Sequence, residues 1–161
     1  MRIFTLVLLL LLLALAAPAL AEEAMLIKVI DGDSLVLTIH GLPVEVRLLG
    51  IDAPEYGQEW GEEATEFVED WTEHQMFDLE YGPTKTDRFN RLLAWVWRSD
   101  GHLLNEDLVQ NGLAIPFMLQ KEDKHFQRIH TAQATAKAAK TGFWSQGGLK
   151  KTPQEWRRLK Q

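Results

Sequence analysis

The stretch from residue 25 to residue 50 constrains the fold most. Three runs, residues 25–30, 34–40 and 44–50, alternate apolar with polar side chains and are rich in β-branched residues. Asp31-Gly32-Asp33 separates the first two, and Gly41-Leu42-Pro43 marks the turn between the last two. That alternation predicts a β-meander, because a strand turns successive side chains to opposite faces.

Helical spacing takes over next. Trp60, Ala64, Phe67, Val68 and Trp71 share one face, while Glu59, Glu62, Glu63, Glu66, Glu69 and Asp70 mostly take the other, which predicts an amphipathic helix. Strands are expected near residues 76–81 and 92–98, then a short helix over 105–111 closed by Gly112. A third helix is expected to begin near Lys121 and stop before Gly142. It would carry Phe126, Ile129, Ala132 and Ala136 inward, with Phe143-Trp144 packing after the cap.

The two ends differ in character. Met1-Arg2 precedes an unbroken apolar run from Leu6 to Ala17 and the sequence Pro18-Ala19-Leu20-Ala21, the pattern of a secretory signal peptide over residues 1–21 cleaved after Ala21. An uncleaved membrane anchor is the alternative. A secreted or periplasmic protein of residues 22–161 is therefore expected, with a domain over 22–145 and a basic tail over 146–161. In the tail, Thr152-Pro153-Gln154-Glu155 has the form of a capping box with Pro in the first turn, predicting a short terminal helix. Lys150, Lys151, Arg157, Arg158 and Lys160 read as a mobile solubilising tail, with contact to nucleic acid or an acidic membrane as the alternative.

Composition narrows the chemistry. The chain contains no cysteine, which excludes disulfides and thiolate metal sites, so function must rest on carboxylates, histidines and basic groups. From Lys85 onward there are fourteen basic residues against seven acids, despite a formal net charge of −6 for the whole chain. That half could receive a polyanion, or could simply be solvated surface.

Two motifs stand out. Asp31-Gly32-Asp33-Ser34 occupies the first turn, and Arg47-Leu48-Leu49-Gly50-Ile51-Asp52-Ala53-Pro54-Glu55 puts an Arg inside an apolar strand, an Asp at its exit and a Glu beyond a rigidifying Pro. Arg47 points into a cavity or toward a partner, or else pairs internally with Asp52 or Glu55. Asp33 and Asp52, with a loop carbonyl and waters, suit a hard cation. Calcium fits best, with an affinity on the order of 10⁻⁴ M, and magnesium is the fallback. Thr86-Asp87-Arg88-Phe89-Asn90-Arg91 adds a second Arg at a strand entrance. Two guanidiniums, a cation and a free carboxylate are the parts needed to hydrolyse a phosphodiester.

The sequence resembles the staphylococcal nuclease-like, or thermonuclease, family over roughly residues 24–145. The resemblance is carried by IDGDS at 30–34, VRLLGIDAPE at 46–55, GQEWGEEA at 57–64, TDRFNRLLAWVW at 86–97, LNEDLVQNGLA at 104–114 and GFW at 142–144. It implies an α+β, mainly β fold, a five-stranded OB-type barrel with three helices. It also implies a calcium-dependent endonuclease that acts on DNA and RNA with little sequence preference and leaves 3′-phosphate and 5′-hydroxyl ends. Carried over by motif, Asp33, Asp52 and the Ala53 carbonyl would be metal ligands, Glu55 the general base, and Arg47 and Arg91 the holders of the scissile phosphate. Lys85, Arg88 and Phe89 would bind substrate. Ser34 and Ala53 stand where threonines are usual, and the nucleotide-pocket tyrosines appear as Phe89, Met118 and Gln120. No stable protein partner is expected, nor a membrane contact after cleavage, and the protein is read as a monomer. A non-catalytic OB-type nucleic-acid-binding module is the alternative, and a secreted structural protein a third.

Overall fold

The computed structural model describes residues 23–73 and 75–160. The expected signal peptide lies outside the described residues. Strands β1 (Glu23–Asp31), β2 (Ser34–Ile39) and β3 (Leu42–Leu48) form the meander, each antiparallel to the next. β4 (Ile51–Asp52) continues the chain past Gly50, and helix α1 (Gly61–Thr72) leads to β5 (Met76–Thr86) and β6 (Leu92–Arg98). Five of these strands close a barrel in the order β1-β2-β3-β6-β5. The β3–β6 seam is parallel, with Arg47 opposite Leu93 and Leu48 opposite Ala94. Beyond the barrel come α2 (Leu104–Gln110), β7 (Ile115–Pro116), α3 (Phe126–Ala139), a 3-10 turn (Gly142–Gln146) and α4 (Pro153–Leu159).

Leu35, Leu37, Val46, Leu48, Phe77, Ala94 and Val96 fill the barrel from alternate strand positions. Leu104 and Leu108 of α2, Ile129 and Ala132 of α3, and Ala64 and Val68 of α1 join the same core. At roughly 1.5–3 kcal/mol for each large aliphatic side chain buried, this cluster dominates folding. The tiny β4 pairs antiparallel with β7, Asp52 opposite Ile115, and that pairing holds the exit of β3 against the body of the protein.

Three local expectations need correction. The β2–β3 turn is made by His40 and Gly41, both with positive φ, and Leu42 and Pro43 already belong to β3. The third helix starts at Phe126 rather than near Lys121, because Asp123 winds the chain into turns: its carboxylate accepts from the Gln120 N–H and its carbonyl from the Phe126 N–H. His125 is consequently buried and Phe126 only half-buried. The tail, expected to be mobile, is docked: Pro153 is buried and Arg157 of α4 reaches residues more than a hundred positions earlier.

Candidate active site

The turn between β1 and β2 builds the first wall. Asp31 Oδ1 accepts the Asp33 N–H at 3.0 Å, an Asx turn that leads Asp33 inward. Gly32 permits it, since a Cβ there would lie 2.7 Å from the Ala64 methyl and 2.8 Å from the Ala53 methyl. That close approach lets Asp33 Oδ2 accept the Ala53 N–H at 2.8 Å, while Oδ1 accepts from the Ser34 hydroxyl at 3.2 Å. Burial pushes the Asp33 carboxyl up to about 7, against the downward pull of Arg47 and with Asp31 adding to the rise.

Arg47 and Asp52 come from β3 and β4. Arg47 Nη2 bridges the two buried carboxylates, 2.9 Å from Asp33 Oδ2 and 3.0 Å from Asp52 Oδ1. Its Nη1 donates to the carbonyls of Leu48 and Ile51 at 2.6 and 2.9 Å. The sequence left Arg47 open between a cavity and an internal pair; in the structure it is paired internally, with Asp33 as well as Asp52. Asp52 is wholly buried, and a buried carboxylate is sustained only by such a partner.

Glu55 stands three residues on, in a loop pinned by Gln58 and Gly61. Gln58 Oε1 accepts the Glu55 N–H at 3.1 Å, and the Gln58 N–H donates back to the Glu55 carbonyl at 2.9 Å. A Cβ on Gly61 would fall 2.2 Å from that carbonyl, so the helix entry sits directly on the loop.

The loop before β6 supplies the other edge. Asp87 folds it by accepting the N–H groups of Phe89 and Arg91 at 2.9 and 3.0 Å. Its other oxygen holds Nε and Nη2 of Arg91, each at 2.8 Å. Arg91 Nη1 then donates to the Ser34 hydroxyl at 3.3 Å, which links it through Ser34 to Asp33. The structure therefore joins Asp33, Arg47, Asp52, Ala53, Glu55 and Arg91 at one end of the barrel. Phe89 lies exposed at the edge of this group, with the Arg88 and Arg91 guanidiniums 4.7 and 5.6 Å from its ring centre. Lys85 is exposed farther along, with its ammonium 5.8 Å from the centre of the Tyr81 ring.

The family model described as staphylococcal nuclease homologue matches residues 45–146. The chain belongs to that family. The nuclease is 34% identical over 125 residues to the thermonuclease of Staphylococcus hyicus, covering 74% of this chain and 73% of that one. It is 33% identical over 129 residues to the thermonuclease of Staphylococcus intermedius, covering 76% of each. It is also 30% identical over 129 residues to the SPbeta prophage-derived endonuclease YokF of Bacillus subtilis strain 168, covering 75% of this chain and 43% of that protein.

Sequence reasoning missed two residues of the nuclease's site. Gln58 is buried, and its Nε2 donates to the Lys151 carbonyl at 2.8 Å, tying the Glu55 loop to the tail. Arg157 is the second. Its Nη1 and Nη2 donate to Asp52 Oδ1 and Oδ2, both at 3.0 Å, and Nη1 also donates to Glu55 Oε1. Partial burial works against its charge, but the hydrogen bonds it donates to Asp52 and Glu55 outweigh it and hold the guanidinium protonated above the usual arginine range. The capping box told of the helix, but no local signal told where the helix would lie.

For a metal, the donor set is oxygen-only. No cluster of three or more His, Cys, Asp or Glu is arranged around a common ion position among the described residues. Two buried carboxylates already share one cationic group, Arg47 Nη2, and a second, Arg157 Nη1, lies between Asp52 and Glu55. Such a sparse set suits a hard cation that completes its shell with carbonyls and water.

Proposed function

We propose that the nuclease is a secreted, calcium-dependent phosphodiesterase that cuts DNA and RNA with little sequence preference and leaves 3′-phosphate and 5′-hydroxyl ends. The observation that carries this reading is the buried Asp33–Arg47–Asp52 bridge, with Glu55 three residues beyond it. Charged groups this far from water are costly to maintain as scaffolding alone.

Asp33, Asp52 and the Ala53 carbonyl would hold the cation. Calcium bound there supplies Lewis-acid polarisation of a phosphoryl oxygen. Arg47 and Arg91 donate to the phosphate oxygens on which negative charge grows, a role the planar guanidinium fork fills better than an ammonium. Glu55 orients water opposite the 5′-oxygen and takes its proton. The water oxygen bonds to phosphorus as the bond to the 5′-oxygen breaks, so the phosphate stays on the 3′-oxygen and the departing 5′-oxygen takes a proton from solvent to become the 5′-hydroxyl. Lys85, Arg88 and Phe89 hold the flanking strand, with the exposed Phe89 ring offering a face on which a base can stack.

The apolar run from Leu6 to Ala17, read as a secretory leader, supports a setting outside the cytoplasm for this chemistry. Among the described residues no helix is long and apolar enough to cross a membrane. Millimolar extracellular calcium is enough to fill a weak site.

The test is digestion of single-stranded DNA by residues 22–161 with millimolar calcium or with chelator, beside the Glu55→Gln protein. Calcium-dependent cleavage that is lost in the variant is expected. Oligonucleotide binding without cleavage in either protein would make this a binding module instead.

A further inference from the structure

The tail is attached at several points. Gln58 holds the Lys151 carbonyl, Gln146 Nε2 donates to Glu59 Oε1 at 3.0 Å, and Lys150 Nζ lies 3.4 Å from the same carboxylate. Thr152 and Glu155 complete a reciprocal capping box that starts α4 in a fixed direction. These contacts aim Arg157 at the site, and the whole of α4 lies beyond the segment matched by the family model.

Asp52 then receives three guanidinium donors, two from Arg157 and one from Arg47. A carboxylate has about four lone-pair positions, and a calcium ion must approach its oxygens to about 2.3–2.6 Å. A bidentate Arg157 and a metal ion compete for the same oxygens of Asp52. Glu55 is engaged by the same guanidinium through Oε1, so that oxygen is withheld from water while Arg157 stays.

We propose that α4 is an internal latch on the active site: Arg157 occupies both oxygens of Asp52, one of the carboxylates that would hold the cation, and reaches Glu55 as well, and a divalent cation must displace it from Asp52 before the nuclease can act. This rests on the reading of Asp33 and Asp52 as metal ligands. A divalent ion brings two charges where the guanidinium brings one, so rising cation concentration favours release. The short tether keeps Arg157 at high effective concentration, which raises the calcium level at which the exchange occurs.

The latch reduces apparent calcium affinity by the fraction of molecules left unlatched. With about a tenth unlatched, Arg157→Gln should bind calcium about tenfold more tightly than the parent protein, equivalent to about 1.4 kcal/mol. Calcium alone is titrated by calorimetry into the protein, the Arg157→Gln protein and the Asp33→Ala protein. Hydrogen exchange over residues 153–160 of the parent is followed with and without calcium. Tighter binding by Arg157→Gln, together with faster exchange of α4 when calcium is added to the parent, is the expected result. Equal or weaker binding by Arg157→Gln, or exchange in α4 that calcium leaves unchanged or slows, overturns the latch and leaves the metal reading standing. No calcium binding by parent and Arg157→Gln alike, or binding that survives Asp33→Ala unaltered, overturns the metal reading and the latch with it.

Discussion

Replacing Arg47 by methionine separates what that side chain does for the fold from what it does for catalysis. Methionine keeps the stem within the protein but removes the group that bridges Asp33 and Asp52 and donates to the Leu48 and Ile51 carbonyls. Asp33 keeps the Ala53 N–H and Ser34, and Asp52 keeps Arg157, so the loss is not total. Removing one partner of a buried ion pair costs about 3–5 kcal/mol, a large share of the roughly 5–15 kcal/mol that holds a domain together. Urea unfolding of the calcium-free protein should therefore show a midpoint shift worth about 3 kcal/mol or more at constant slope. Calcium at 100 times its dissociation constant should return about 2.7 kcal/mol to any form that binds it, because it binds only the folded state. A destabilisation below about 1 kcal/mol would refute the claim that Arg47 sustains the two carboxylates, since that is what loss of an ordinary hydrogen bond costs.

Gly32→Ala should destabilise by about 1–3 kcal/mol, because the new methyl meets two others at 2.7 and 2.8 Å, and a thermal scan with and without Ala64→Gly should show partial recovery in the double variant. Asp33→Ala should abolish calcium binding measured by calorimetry, whereas Glu55→Gln should retain calcium-dependent nucleotide binding yet lose turnover; calcium binding that survives Asp33→Ala, or turnover that survives Glu55→Gln, would sink the assignment. Burial pushes Glu80 up, but hydrogen bonds from Lys124 and His125 outweigh it and hold the carboxyl below its ordinary value of 4.5. Its stabilising contribution is therefore complete above pH 4.5 and is lost as pH falls through the lower folded value. Glu80→Gln should be less stable than the parent at neutral pH, with the gap closing in acid, and a gap independent of pH would refute the pairing.

The meander was legible because its strands carry period-2 burial and its turns carry the glycines and aspartates that turns require, whereas closure into a barrel was implied only by the family resemblance. Asp33, Arg47, Asp52 and Glu55 could be found for a related reason: a charge inside an apolar strand or at its exit is costly unless it has a task. Helix α3 was mistimed because Asp123 competes for the backbone over residues 121–125, an interaction that helical periodicity does not register. β7 is two residues long, below the length at which alternation means anything, and exists because β4 pairs with it. Arg157 was illegible for a different reason. Its capping box fixes a helix, but the partners of its guanidinium lie 102 and 105 residues away, and only the closed fold brings them together.

The parallel seam between β3 and β6 sets when this chemistry can first exist. During synthesis, a chain that has emerged only as far as Thr86 already carries Asp33, Arg47, Asp52 and Glu55, but neither Arg91 nor the strand that lies beside Arg47. Long-range pairings of this kind form late, after the local hairpins. A nascent or unfolded chain thus lacks the assembled site, which is complete only once β6 has closed the barrel beside β3.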